Sequence, residues 1–382
     1  MTSEERKEAR YQRRKAKRDV AREKRSMSYG DFEEVFSFRH LYLAGKKCCT
    51  GVYWKNSTQR YIDSIIPNTA KLHRSLQNGK FVHRGFHEFD IMERGKKRHI
   101  RSVHITERAV QKCLCDYCVV PIYSASFIYD NSASLKHRGM DFAIRRMICH
   151  LQKHYRKHGL TGGILLYDFH SFFDSAPHEP LLQESIRRLH DPRTRKVADS
   201  FIQDFGEIGL GLGSQVSQTN ALLLPSPLDH YCKEVLRIKG YGRYMDDGYA
   251  IHEDIDYLYL CLDCIELICN KIGLTLNRKK TVIVPLEDFY RWLKTKFIVT
   301  PNGKIVLKMN PDSTLIIRKK LRKFHKWYMD GTFTMQDIRS SYDSYLGHMK
   351  RGNSFRVIES TNQYFNSLFG FYPNKKGWKN HV

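Results

Sequence analysis

Hydrophobic and polar positions along this chain alternate between a helical and a strand period, and the changes of period divide it. From Phe32 to Leu43 the apolar residues Phe32, Val35, Phe36, Leu41, Tyr42 and Leu43 recur at partly helical spacing. Between Gly85 and His104 the period shortens. Phe86 to Ile91 alternates, Arg94 to Arg98 reads as a basic hairpin tip, and His99 to Val103 returns. A helix opens at Thr106 or Glu107, and a basic helix covers 139–158 until Gly162-Gly163 breaks it. Ile164-Leu165-Leu166-Tyr167 is a short apolar run of the buried-strand type, and it stops on Asp168. Glu179 to Leu189 reads as a helix, with Pro180 early in it, where proline is tolerated. Residues 206–220 are glycine-rich. A helix is expected from near Ser217 towards Leu236, kinked or delayed by Pro225 and Pro227. Two strand-like runs, Val235 to Met245 and Tyr249 to His252, then flank Asp246-Asp247-Gly248, which reads as a hairpin turn. Ile255 to Ile272 is an amphipathic helix stopped by Gly273. Leu293 to Val299 and Lys304 to Leu307 read as a hairpin about Asn302-Gly303, a basic helix follows from Ser313, and a second helical segment covers 334–370.

Charge adds a partner to this picture. The chain has 382 residues and a net charge of +25, with 41% hydrophobic residues, so it folds into two or three units and favours a polyanion. Nucleic acid comes first and an anionic membrane second. No apolar run reaches the roughly 18–20 residues of a membrane span. The N-terminus lacks the apolar core of a secretory signal, and Glu4, Glu5, Glu8 and Glu23 argue against an import presequence, so a cytoplasmic protein is expected. Residues 1–26 carry eleven Lys/Arg and five Asp/Glu with almost nothing apolar. Such a segment cannot offset its ordering entropy alone, and it reads equally as a helix formed on RNA or as a solvated tail. Lys46, Lys47, Lys55 and Arg60 interleave with Tyr53, Trp54 and Tyr61, which suits a nucleic-acid surface or a half-buried helix with snorkelling lysines. The ten cysteines include two CxxC pairs, Cys115/Cys118 and Cys261/Cys264. A four-thiolate zinc site is the sharp reading. Reduced core thiols are favoured, because the pairs lie far apart and Cys261, Cys264, Ile265, Ile268 and Ile272 share a helix face.

Alone, Asp246-Asp247 is most simply a solvated turn. Asp168 changes that, because a carboxylate ending a buried strand upstream of a carboxylate pair in a hairpin is the order of a two-metal phosphoryl-transfer site. Asp168 and Asp246 would bridge two Mg²⁺ ions, with Mn²⁺ the alternative. Asp247 would complete the charge and the Phe169 carbonyl would be a further ligand.

Here the chain resembles the reverse transcriptases, over roughly residues 30–330. Tyr244 to Asp247 resembles the YMDD box. Tyr167 to Ser175 with His178 and Leu181 resembles the first catalytic motif, D-h-x-x-F-F-x-S-x-x-H-x-x-L. Lys97 to Gln111 is similar to the finger motif that holds the incoming triphosphate, which implies Arg98 and Arg108 as its contacts. Asn131 to Gly139 is similar to the next finger motif, which implies template contacts at Lys136 and Arg138. Leu276 to Thr281 resembles the motif after the active-site hairpin, with Lys279 or Lys280 as a phosphate contact or as the acid for leaving pyrophosphate. Leu293 to Phe297, with Leu293 and Lys294 at its start, resembles the primer-grip hairpin. Phe173 stands where the family places its steric gate against a 2′-hydroxyl; the alternative is a core aromatic.

Most of the family carries Q-G-x-x-x-S-P before the next helix. Leu212-Gly213-Ser214-Gln215-Val216-Ser217-Gln218 instead resembles the LGxxxSQ form of reverse transcriptases from diversity-generating retroelements, as does Pro227 to Tyr231. The resemblance implies copying of a template-repeat RNA into cDNA with errors opposite adenine, in mutagenic retrohoming. It also implies a bacterial or phage source and a small basic oligomeric accessory protein of the Avd type. Leu212 and Gln218 would lie at the nucleotide. Leu212 cannot offer the amide of the usual glutamine, so checking of the nascent pair would loosen; the alternative is a packing residue.

The implied fold is α+β, a right-hand polymerase. Residues 1–27 would be a basic extension, 28–304 fingers and palm on an antiparallel sheet, and 305–382 a basic helical thumb. No segment after the thumb is long enough for a ribonuclease H or endonuclease domain, so template removal and target nicking are expected from elsewhere. Rival readings are a retron, group II intron-like or phage-defence reverse transcriptase, and a catalytically silent RNA-binding scaffold.

Overall fold

The computed structural model describes residues 2–93, 96–310 and 312–381. Arg94 and Gly95, at the expected tip of the basic hairpin, lie outside them. The strands are β1 (Phe86–Glu93), β2 (Lys96–Val103), β3 (Gly163–Asp168), β4 (Gly240–Tyr244), β5 (Asp247–His252), β6 (Val282–Pro285), β7 (Tyr290–Trp292), β8 (Thr295–Val299) and β9 (Ile305–Met309). They form three antiparallel sheets: β1-β2, the central β4-β5-β3-β6, and β7-β8-β9. Helices make up most of the remainder, so the fold is α+β. It has the parts of a right-hand polymerase: a helical fingers unit with a projecting hairpin, an antiparallel palm and a helical thumb.

Strand alternation organises the palm. Leu165 and Tyr167 of β3, with Tyr241 and Ala250, face the helix Ile255–Lys271 through Leu258, Cys261, Ile265 and Cys269. Ile164 and Leu166, with Tyr249 and Ile251, face the helix Met140–His158 and the third sheet through Met147, Leu151 and Trp292. Every residue of β3 is buried, which is why it reads as one continuous apolar run. The thumb has its own core around Ile317, Leu321, Ile338, Tyr342 and Phe365.

Several expectations change. Ser3–Tyr29 is one continuous helix. Thr2 and Glu5 form a capping box, the run is rich in good helix formers, and the last turn is anchored by buried Ser26, whose Oγ accepts from the His190 amide at 3.0 Å. The glycine-rich stretch leads into a helix at Gln215, capped by Ser214, earlier than Ser217. This helix ends at Leu223, and Ser226–His230 and a π turn at Tyr231–Val235 follow it, so the two prolines break the run rather than kink it. Val235 to Ile238 is therefore not strand, and β4 begins at Gly240. The β8–β9 hairpin about Asn302-Gly303 forms and straddles residue 305, so the helical thumb starts at Asp312. The segment 334–370 splits into Met335–Met349 and Phe355–Phe369. Asn353 between them exchanges hydrogen bonds with the Leu307 backbone at 2.8 and 2.9 Å, tying thumb to sheet. No described helix is long and apolar enough to cross a membrane.

The sequence reading missed β7. Leu293 and Lys294 close a two-residue turn between β7 and β8, with φ of +47° and +65°. Such turns need positive φ at both central positions, and a residue with a Cβ is strained there by ~1–2 kcal/mol. Leu293 is held down by its buried side chain, whereas the Lys294 side chain is exposed. Lys294→Gly is expected to raise stability by ~0.5–1 kcal/mol, read as a higher midpoint in urea unfolding.

Candidate active site

Asp168 ends β3, Asp247 begins β5, and the two are direct partners across the antiparallel pair. By alternation Asp168 follows Ile164 and Leu166 on the same face on which Asp247 precedes Tyr249 and Ile251. Two like charges directly opposite each other in a sheet repel. Asp246 joins them from the turn that links β4 to β5, where Tyr244 pairs with Asp247 and the Phe169 amide donates to the Asp246 carbonyl at 3.3 Å. Asp168 is only 3% exposed. Burial first, then the charges of Asp246 and Asp168, push the Asp247 carboxyl up to about 7. Burial also raises Asp246, with Asp168 adding to the effect and Lys280 and Arg98 opposing it.

The turn differs from an Asp-Asp-Gly reading. Met245 carries the left-handed φ of +55°, and Gly248 lies inside β5. A Cβ at Gly248 would stand 2.1 Å from the Tyr167 ring, so the glycine is required for close approach rather than for turning.

A buried network holds this turn, and the sequence reading missed it. Arg243, fully buried, makes a bidentate pair with fully buried Asp229, Nε to Oδ1 at 2.8 Å and Nη2 to Oδ2 at 2.7 Å. Its Nη1 donates to the Met245 carbonyl at 2.8 Å and its Nη2 to the Leu222 carbonyl at 3.1 Å. Tyr241 donates to Asp229 Oδ1 at 2.8 Å, and the Tyr167 and Tyr241 hydroxyls meet at 2.7 Å. The signal was alternation: Tyr241 and Arg243 share one face of β4, so an inward arginine demanded a carboxylate.

Lys280 Nζ lies 2.8 and 2.7 Å from the two oxygens of Asp168. Burial pulls its ammonium down, but the hydrogen bonds and charge of Asp168 outweigh that and hold it raised. Asn277, also missed, donates its side-chain amide to Asp168 Oδ1 at 3.2 Å and its backbone amide to the Asp168 carbonyl at 2.7 Å. Among the described residues the Phe169 carbonyl receives no backbone hydrogen bond. Three carboxylates, a carbonyl and a displaceable lysine suit a hard divalent cation.

The other expected contacts spread around this cluster. Arg98, on β2, is close enough for its charge to act on Asp246. Arg108 is half-buried on the helix Ile105–Leu114 and lines a cleft of 970 Å³ with Lys55, Arg84 and Gly213. It has no described hydrogen bond or ion pair with the carboxylates. Phe173 is half-buried in the turn after Asp168, edge-on to Phe172 at 5.6 Å, and its carbonyl accepts from the Leu210 amide at 2.6 Å. Leu212 is half-buried in the loop before the helix, and Gln218 is exposed. Neither has a described hydrogen bond to the carboxylates. Lys136 is exposed, whereas the Arg138 guanidinium is spent on the carbonyls of Ile128, Tyr129 and Asn131, so it braces its own loop. Leu293 and Lys294 occupy the strained β7–β8 turn described above. The two CxxC pairs form no metal-ligand group among the described residues, and all ten cysteines are free. Burial pushes the Cys261 thiol up to about 11, as for a core residue.

Two outcomes are expected. Asp229→Ala leaves a buried guanidinium unpaired and should cost ~3–5 kcal/mol. The Arg243→Met, Asp229→Leu double variant should recover most of that in urea melts but not the Mg²⁺ response, because the Met245 carbonyl loses its anchor. The second outcome concerns pH. Asp247 takes up its proton at about 7 in the folded chain and near an ordinary carboxylate value when unfolded. The folded state therefore binds the extra proton between those values, and metal-free stability falls as pH rises towards 7. Mg²⁺ should raise the melting temperature more at about pH 8 than at about pH 5.5, and Asp247→Asn should flatten both dependences.

No protein-family model matches the chain, and no curated protein matches it in sequence. Among solved structures it is similar to apo telomerase from Candida tropicalis truncated from the C-terminal domain. That match has a TM-score of 0.45 and 12% identity, and covers 59% of this chain and 55% of the other. It is also similar to telomerase from Candida albicans in complex with a TWJ fragment of telomeric RNA. That match has a TM-score of 0.47 and 13% identity, and covers 82% of this chain and 60% of the other. The chain spans less than two thirds of the length of either.

Proposed function

We propose that the chain is an RNA-directed DNA polymerase, a reverse transcriptase, with Asp168, Asp246 and Asp247 as its catalytic carboxylates. The observation that carries the reading is the cross-strand pairing of Asp168 with Asp247 beside Asp246, a buried concentration of negative charge. Asp168, Asp246, Asp247 and the Phe169 carbonyl would hold Mg²⁺, or Mn²⁺, which when bound offsets charge on the attacking and leaving oxygens of phosphoryl transfer. Arg98, beside Asp246, draws the triphosphate of a dNTP towards the carboxylates. Lys280, released from Asp168, turns to the phosphates and donates a hydrogen bond or a proton to the departing pyrophosphate. The Phe173 ring excludes a 2′-hydroxyl. The basic charge holds the template RNA and the cDNA primer through their phosphates, so binding weakens steeply with salt.

The finer reading is a diversity-generating type that copies a template-repeat RNA with errors opposite adenine in the bacterial cytoplasm, assisted by a small basic accessory protein. It is supported by the LGxxxSQ stretch and by the placement of Leu212 between the Phe173 turn and the β1–β2 hairpin. One observation favours the rival scaffold reading: Lys280 already neutralises Asp168.

Primer extension on an RNA template with Mg²⁺ separates these readings. The wild-type chain is expected to extend, and Asp246→Asn to lose at least ~10³-fold in rate with RNA affinity retained. No extension on any primed template supports the scaffold. Sequencing of the cDNA tests the finer reading. Leu212→Gln is expected to lower errors opposite adenine severalfold, and an unchanged adenine error would remove the role given to Leu212.

A further inference from the structure

A second cluster of ligand groups lies away from the carboxylates, at the base of the β1–β2 hairpin. His83 Nδ1 stands 3.4 Å from Glu107 Oε2 and 3.4 Å from Asp204 Oδ2. Glu107 is buried, at 1% exposure, and its other oxygen, Oε1, accepts from the Arg84 amide at 2.8 Å. Oε2 is thus left facing the histidine. The hydrogen bonds fix the ring as well. The Ser200 hydroxyl meets the Val197 carbonyl at 2.9 Å, and with its hydrogen turned there it accepts from Nε2–H of His83 at 3.0 Å. The edge of the ring against Phe201, with centroids 4.7 Å apart, holds that orientation.

In the neutral ring the Nδ1 lone pair then points at two carboxylate oxygens, three acceptors with no donor among them. A proton or a metal ion has to lie between them. The separations decide between the two. A charge-assisted N–H···O bond closes to ~2.7–2.9 Å, whereas the Nδ1–Glu107 Oε2 contact, in hydrogen-bond geometry, and the Nδ1–Asp204 Oδ2 contact are both longer, at 3.4 Å. Ligands bound to Zn²⁺ at ~2.0–2.2 Å in a tetrahedron lie roughly 3.3–3.6 Å apart, which matches both. A histidine with its other nitrogen donating and a carboxylate with its other oxygen occupied are the outer partners that orient metal ligands.

We propose that His83 Nδ1, Glu107 Oε2 and Asp204 Oδ2 bind a tetrahedral divalent cation of the Zn²⁺ class, with water from the adjoining cleft as fourth ligand. His83 and Glu107 bracket the hairpin in sequence, and Asp204 is the C-cap of the helix Pro192–Gln203. The ion therefore clasps the hairpin that carries Arg98 to the body of the fingers. This site does not depend on the polymerase reading.

The test uses the full chain carrying Asp246→Asn and Asp247→Asn, which leaves Asp168, paired with Lys280, as the one carboxylate of the other cluster. After exposure to Zn²⁺ and gel filtration in metal-free buffer, about one equivalent is expected by elemental analysis. Co²⁺ in its place should give the intense visible absorption of a four-coordinate ion. His83→Gln should abolish both signals, Asp204→Asn, at a partly exposed position that spares the core, should lose the bound ion, and Ser200→Ala should weaken binding ~10–100-fold. No retained metal, a pale six-coordinate Co²⁺ spectrum, or full stoichiometry in Asp204→Asn would each overturn the proposal.

Discussion

A guanidinium with no exposed surface sits directly behind the turn that carries Asp246. Arg243 can be buried there because Asp229 meets it with both oxygens and because two backbone carbonyls take two more of its five donors. One of those carbonyls belongs to Met245, the residue in the left-handed conformation. The ion pair therefore opposes the strain of the turn. It also fixes the order of assembly in space, because Asp229 comes from the helix Ser226–His230, the Leu222 carbonyl from the preceding helix, and Arg243 from β4. A hydrophobic replacement could match the packing, but it would leave the Met245 carbonyl without a donor.

That anchoring matters because the cluster in front of it is electrostatically unfavourable. Asp168 and Asp247 are paired by the same register that buries Ile164, Leu166, Tyr249 and Ile251. A one-residue slip would separate the carboxylates but would also turn those apolar side chains away from their core. Hydrophobic register thus forces the charges together. The fold answers the repulsion in part, through Lys280 and Asn277 on Asp168 and through Arg98 near Asp246. The rest adds to burial, the larger cause, in raising the carboxyl of Asp247.

Much of this was legible. The apolar run ending at Asp168, the hairpin with Asp246 and Asp247, and the helices 139–158 and 255–272 all follow from period and length. The unread parts share a cause, namely that a local pattern does not report a distant partner. Arg243 went unread because Asp229 is fourteen residues away. Arg138 looked like a template contact because its three acceptors are backbone carbonyls, which carry no sequence signal. The N-terminal segment looked unable to order alone, because the capping box was not weighed and the docking of Ser26 against His190 is long-range. The β7–β8 turn was hidden because Leu293 and Lys294 are not turn residues by propensity, and the burial of Leu293 in the core is a long-range contact.

The glycine-rich stretch shows how such distant anchors could bear on chemistry. On one side the Gly209 and Leu210 amides donate to the Ala176 and Phe173 carbonyls, and His178 Nε2 meets the Gly209 carbonyl at 2.7 Å. On the other side Ser214 Oγ and the Gln215 amide both reach Gln111 Oε1, at 3.2 and 3.3 Å. Between these anchors the Ser214 amide donates back to the Gly211 carbonyl at 3.3 Å, and Gly211 is confined by the Phe205 ring, which a Cβ there would overlap at 1.8 Å. Leu212 is therefore presented by a short span with both ends fixed. Its side chain can be exchanged with little freedom for the backbone to compensate. The span thus joins the turn that follows Asp168 to the hairpin that carries Arg98, and at its centre a leucine offers shape and no side-chain hydrogen-bonding group.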